Sequence, residues 1–205
     1  MGRVGLVDYG MCNLDSVKRA LEECGAEVRV ASSPAGLEKV HRVVLPGVGA
    51  FSEAMANLRD RGFDRALADL VHGDGVPLLG ICLGMQLLAT TGHEGGETAG
   101  LGWIDGDVVR LEPTDLDRRV PHIGWNELNP QGHDDLFEGV PSGADVYFVH
   151  SYHLACRDEA DVAATTPYCG GFVSAVRRGN VAGFQFHPEK SQRHGLQLLS
   201  RFLAA

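Results

Sequence analysis

PLLGICLGMQLL, residues 77–88, decides the fold. The run from Val76 to Ile81 is continuously apolar, the pattern of a strand buried on both faces. From Gly84 to Thr91 the pattern predicts a helix. Cys82 stands at the junction, with Gly80 and Gly84 two residues to either side. So sharp a strand-to-helix turn forces an unusual backbone on its apex and brings neighbouring backbone close. Glycines at those two positions remove the Cβ atoms that would collide. The turn also places a sulfur at a helix N-terminus, where the dipole favours thiolate and the next amide can face a developing oxyanion. Taken alone, GICLG fits a nucleophile, and it also fits a structural cysteine among packing glycines.

Upstream, strand and helix signals alternate. RVGLVD (3–8) is a short apolar run ending in an acid and a glycine turn, so it reads as a strand and not as a signal peptide. Val17, Ala20, Leu21 and Cys24 lie at helical spacing, and Gly25 closes that helix. AEVRVA (26–31) and HRVVLP (41–46) are further strands, and a helical region from Phe51 to His72 carries a predicted break at Gly62. This alternation implies a mostly parallel open sheet covered by helices on both faces. From Leu101 onward GWIDGDVVRLEP, VPHIGWNEL and DVYFVHSYHLA are β-rich, and SAVRRGNVAGFQF (174–186) reads as a hairpin turning at RRGN. A helix from Ser191 to about Leu203 ends the chain. The expectation is a single α/β domain, 1–205, with an antiparallel β-rich second half.

The bulk numbers narrow the function classes. A formal charge of −9 argues against nucleic acid or an anionic membrane as the main partner. The Arg177-Arg178 pair reads as a solvated hairpin tip. No apolar run approaches the ~18 residues of a membrane span. Five cysteines, without a CxxC pair, fit neither a disulfide framework nor a thiolate zinc site. No metal-spaced histidine cluster accompanies them, and neither a metal nor another cofactor is expected. A reducing cytoplasm is the economical location.

A cysteine nucleophile needs a base, and the base needs an orienting group. GFQFHPEKSQ (183–192) offers both: His187 at a strand end, Pro188 stopping the ladder, and Glu189 on the same side if the backbone stays extended. By itself HPE is also a common surface turn. LPGVGAF (45–51) follows the third strand at the carboxyl edge of the sheet, where open α/β folds bind ligands. Amides at Val48 or Gly49 could join that of Leu83 as oxyanion donors, although a plain βα turn fits as well.

GICLGMQLL with Cys82, followed about a hundred residues later by GFQFHPEKS with His187 and Glu189, resembles the class I (triad) glutamine amidotransferases over nearly the whole chain. DYGMCNLDSV (8–17), LPGVGAF, PHIGWNEL (121–128) and YFVHSYH (147–153) resemble, within that family, the glutaminases that feed a (β/α)8 cyclase in histidine biosynthesis. The resemblance implies a Cys82–His187–Glu189 triad, L-glutamine as substrate, and ammonia passed to the cyclase, which makes imidazole glycerol phosphate and AICAR. It also implies substrate contacts from Gln86, Ser151 and Tyr152, and a heterodimer interface at Trp125 and Asn126. Sister glutaminases for anthranilate or aminodeoxychorismate usually carry PGPG in place of PGVG. The one for pyridoxal phosphate has GGES after an early strand, whereas GGET here lies at 95–98, beyond the elbow. Cys12 stands where the family usually has glycine.

Overall fold

In the computed structural model, which describes residues 2–132 and 135–205, the front half is a series of strand–helix units. β1 (Arg3–Val7), α1 (Leu14–Glu23), β2 (Glu27–Ala31), β3 (Arg42–Gly47), α2 (Phe51–Asp60), α3 (Phe63–Ala68) and β4 (Leu78–Cys82) follow in order. Gly62, at φ +73°, separates α2 from α3 where the break is predicted. Every residue of β4 is buried, as its unbroken apolar run requires. The structure departs from expectation after the elbow. α4 (Leu83–Gln86) is a single turn, and the chain then enters β5 (Ala89–Gly92) instead of continuing as helix to Thr91. Thr90 and Thr91 are β-branched and suit a strand, and the pairing available with later strands overrides the helical spacing of the leucines.

The second half adds β6 (Thr98–Ala99), β7 (Ile104–Arg110), β8 (His122–Pro130), β9 (Ala144–His150), β10 (Tyr152–Cys156), β11 (Val162–Thr166), β12 (Phe172–Arg178), β13 (Val181–Phe184) and α5 (Gln192–Ala204). The main sheet has the order β2-β1-β3-β4-β13-β12-β11-β8-β9. From β2 to β13 its strands are parallel, and from β12 outward they are antiparallel. The α/β architecture read from the sequence is the one present. A smaller sheet, β10-β7-β5-β6, was not anticipated. DVYFVHSYHLA reads as one β segment, but it breaks at Ser151 into β9 and β10, which belong to different sheets.

Two apolar layers sandwich the main sheet. Val17 and Leu21 of α1 pack with Leu198, Leu199 and Phe202 of α5 on one face. Met55 and Leu58 of α2 pack with Phe63 and Leu67 of α3 on the other. Along β3 the two-residue period sends Val44 to the first layer and Val43 and Leu45 to the second. Helices therefore cover both faces, and the carboxyl ends of β3, β4 and β13 are left side by side. Among the described residues no helix is long and apolar enough to cross a membrane. The Arg178 side of the hairpin tip is tied down, its guanidinium pairing with Asp161 at 2.9 Å.

Candidate active site

The elbow forms because three backbones meet at Gly80 and Gly84. A Cβ on Gly80 would lie 2.6 Å from the Gly84 carbonyl oxygen, and one on Gly84 would run into the Leu45 carbonyl oxygen. That close packing holds Cys82 at φ +54° and ψ −111°, a conformation a non-glycine residue adopts only at a cost of about 1–3 kcal/mol. The strain is offset by β4, whose residues pair with β3 and β13 on both sides. Cys82 is opposite Gly47 in the β3–β4 register, and Phe184 is opposite Ile81 in the β4–β13 register. Sequence separations of 35 and about a hundred residues thus collapse onto adjacent strand ends.

His187 follows β13 and is held by its own backbone. Its N–H donates to the Tyr147 carbonyl at 2.9 Å, and its carbonyl accepts from the Ser191 hydroxyl at 2.7 Å. The same Ser191 oxygen accepts the Tyr147 N–H at 2.9 Å, so the HPEKS turn is stitched to β9. His187 Nδ1 is 2.7 Å from Glu189 Oε1, and both side chains are almost fully buried. Nε2, on the far side of the ring, interacts with the Cys82 sulfur. Burial disfavours charge on this imidazole. The Cys82 and Glu189 contacts outweigh that and hold it up to about 9.

A cavity of about 290 Å³ opens beside the sulfur. Cys82, Leu83, Gln86 and His187 line it, together with Val48, Gly49 and the stretch Val149, His150, Ser151 and Tyr152. Glu189 stands behind His187. The residues singled out for nucleophile, base, oxyanion amides and substrate contacts therefore share one space. The Val48 amide does not face it: its N–H donates to the Met11 carbonyl at 2.9 Å, contrary to the expectation of an oxyanion donor there. The neighbouring Gly49, at φ +107°, has no such bond among the described residues.

The cavity-lining Glu94 and His150, and the buried Gln185 beside the sulfur, were missed at the sequence level. Glu94 lines the cavity, its carboxylate accepting the Phe51 N–H at 2.9 Å at the start of α2. Gln185 is fully buried, with Nε2 3.8 Å from the Cys82 sulfur and Oε1 accepting from Gln86 at 3.0 Å. Strand alternation could have found it, since Gln185 shares a face with His187 while Phe184 and Phe186 stack on the other. Cys12 leaves the site alone: its thiol points at the carbonyls of Val7 and Pro46, and burial pushes it up to about 11.

The pair read as a partner surface separates. Trp125 is 46% exposed and packs edge-on against Tyr147 at 5.9 Å, with the Lys190 ammonium 5.7 Å from that ring. Ile123, on the same face of β8, is 61% exposed. Asn126 is on the opposite face, where its side chain meets His122 at 3.1 Å. Adjacent strand residues point apart, so Asn126 does not share the exposed Trp125 face.

The class-I glutamine amidotransferase family matches residues 5–205, and the chain belongs to it. Among curated relatives it is 48% identical over 202 residues to the imidazole glycerol phosphate synthase subunit HisH of Moorella thermoacetica, covering 98% of this chain and 94% of that protein. It is 47% identical over 209 residues to the subunit of the same name from Caulobacter vibrioides, covering 99% and 98%. Among solved structures, PurLQS from Thermotoga maritima superposes with a TM-score of 0.78 at 18% identity, covering 100% of this chain and 99% of that one. A likeness at that identity speaks for the fold.

Proposed function

We infer that the chain is the glutaminase subunit of an imidazole glycerol phosphate synthase. It hydrolyses glutamine and passes the ammonia to a (β/α)8 cyclase, which makes imidazole glycerol phosphate and AICAR in the histidine pathway. The observation that carries this reading is the cavity holding Cys82 and His187 together, with the His187–Glu189 pair behind. The HisH names borne by relatives of nearly the same length support the particular pathway.

In this reading the Cys82 sulfur attacks the glutamine carboxamide carbon. His187 holds the thiol proton on Nε2 and delivers it to the departing amine, so ammonia leaves and a γ-glutamyl thioester remains. Water, deprotonated by the now neutral His187, then releases glutamate and restores the thiol. Glu189 accepts from Nδ1 throughout and keeps the ring oriented. The Leu83 and Gly49 amides face the developing oxyanion. The Val48 amide joins them once the Gly47–Val48 peptide turns away from Met11. Letting go of the Met11 bond costs about 1 kcal/mol, while a new oxyanion donor contributes about 3 kcal/mol in the transition state. Turning is therefore favoured as charge builds. Glu94 faces the substrate ammonium, with the Ser151–Tyr152 backbone and Gln86 completing the amino-acid end.

The exposed Trp125–Tyr147 face, topped by Lys190, adjoins the triad turn and receives the cyclase. An aromatic anchor beside a cation is the usual composition of an interface core. Residues 1–205 act as one glutaminase unit, in the cytoplasm, where a catalytic thiol stays reduced. The test is to purify the chain with its cyclase and measure glutamate release with and without the cyclase acceptor. Acceptor-dependent release by this pair, and none with anthranilate or aminodeoxychorismate synthases, is the expected result. Stimulation by one of those synthases instead would reassign the pathway.

A further inference from the structure

From His150, which helps to line the cavity, a line of buried polar groups reaches Gln86 through the Tyr152 carbonyl. His122 and His150 are directly opposite one another in the β8–β9 pairing, with His122 Nδ1 3.1 Å from His150 Nε2. His150 Nδ1 reaches the Tyr152 carbonyl at 2.8 Å, across the point where the chain leaves one sheet for the other. Gln86 Nε2 reaches the same carbonyl at 2.8 Å and Gln185 Oε1 at 3.0 Å. At the other end, Asn126 Nδ2 is 3.1 Å from His122 Nε2.

Only one arrangement of hydrogens satisfies this line. The Tyr152 carbonyl can only accept, so His150 carries its proton on Nδ1. Both rings are neutral. Burial pushes His150 down to about 3 and His122 down to about 4, against the pull of the Tyr152 carbonyl and of Asp117 respectively. Neutral His150 therefore accepts at Nε2, and His122 donates to it from Nδ1. His122 Nε2 must then accept, and the Asn126 amide supplies the donor. The orientation of Asn126 is fixed independently, because its Oδ1 already accepts the Glu127 N–H at 2.8 Å. Every donor meets an acceptor, as a buried polar network must.

The consequence falls on Gln86. Both hydrogens of its amide are engaged, by Tyr152 and by Gln185, so among the described residues Oε1 is the uncommitted end of a side chain that lines the cavity. The cavity is offered an acceptor oxygen, suited to the ammonium of an amino acid, and not an NH₂. A reversed amide would set its oxygen against two acceptors, the Tyr152 carbonyl and Gln185 Oε1.

We propose that His122 and His150 are positioning residues for glutamine binding: by holding the Tyr152 carbonyl they fix the amide orientation of Gln86 and the wall beside it. This rests on the reading of the cavity as a glutamine site. His122→Phe keeps the stacking on Tyr168 and Phe148 but removes the donor. His150→Leu removes both contacts of that ring, whereas His150→Asn restores a donor where Nδ1 stands. Steady-state kinetics of the complex with the cyclase should show KM for glutamine raised about three- to tenfold in His122→Phe and His150→Leu, with kcat within about threefold and His150→Asn recovering most of the loss. Nitrogen-resolved NMR of the wild-type imidazoles should show both rings neutral and protonated on Nδ1 at pH 6. Unchanged KM in both variants, a fall in kcat and thermal midpoint that His150→Asn does not rescue, or a ring protonated on Nε2 would overturn the proposal. If the wild-type complex fails to hydrolyse glutamine, the glutaminase reading falls, and the NMR result alone then decides the relay.

Discussion

Cys82 and Gly47 face each other across paired strands, yet the backbone that follows each is committed differently. Beyond Cys82 the chain is locked by close contact among Gly80, Gly84 and Leu45, and the base and its carboxylate stand in place at 2.7 Å. Beyond Gly47 the next amide is turned outward to Met11. One side of the cavity is preorganised by close packing of three backbones. On the other, a backbone hydrogen bond to Met11 turns the Val48 amide outward, between two glycines. In the proposed mechanism the Cys82 elbow is the fixed part, and the Val48 amide is the part that turns.

The comparison can be broken most severely at the fixed wall. Cys82→Ala should lower glutamine turnover by about 10⁴-fold or more in the cyclase complex, while the complex still elutes as a heterodimer. Retained hydrolysis would place the nucleophile elsewhere. Gly49→Ala attacks the adjustable wall. Its Cβ would sit 2.6 Å from the Met11 Cε on backbone at φ +107°, so the loop can no longer take both arrangements. A loss of about a hundredfold in kcat, with KM nearly constant, is expected from steady-state assays. A change in KM alone would mean that the loop serves binding.

Glu189→Gln should be milder, about tenfold in kcat/KM, because the group orients the ring and carries no proton. It also removes one of the two contacts that hold His187 up to about 9. The alkaline limb of the wild-type rate profile should lie near pH 9, and in Glu189→Gln it should move lower. The linked stability has a definite sign. A histidine raised above its unfolded value of about 6.5 adds stability that is full below that value and lost as pH climbs through 9. The gap in thermal midpoint between wild type and variant should therefore narrow from pH 7 to pH 10. A gap that widens would contradict the charged pair. The smallest effect on chemistry is expected at Trp125→Ala, which should weaken cyclase binding by about tenfold or more in titration calorimetry. Unchanged affinity would move the interface away from the Trp125–Tyr147 face.

Much of this was legible before any coordinates. The apolar run of β4, the spaced glycines and the HPE turn each obey a local rule, and β3, β4 and β13 carry them to one edge because parallel strands align their carboxyl ends. What escaped the sequence depends on pairing. Leu87 and Leu88 are buried whether they sit in a helix or beside a strand, so only the partner β7 decides that Ala89–Gly92 is β5. The division of β9 from β10 at Ser151 is set by two sheets competing for one apolar segment. The split between the Trp125 and Asn126 faces, and Gln185 itself, escaped for a simpler reason: the two-residue period was not applied along β8 or through FQF. The direction of the Val48 amide is written in no residue pattern, since glycine permits either orientation of that peptide.

The most direct test of the fixed wall is to trap the reaction in the cyclase complex. Acid quenching during turnover of glutamine, followed by mass analysis of the peptide containing Cys82, should reveal a γ-glutamyl group on that sulfur, absent in Cys82→Ser. Steady glutamate release from a complex whose Cys82 never carries the group, and whose Cys82→Ser variant turns over normally, would contradict the account.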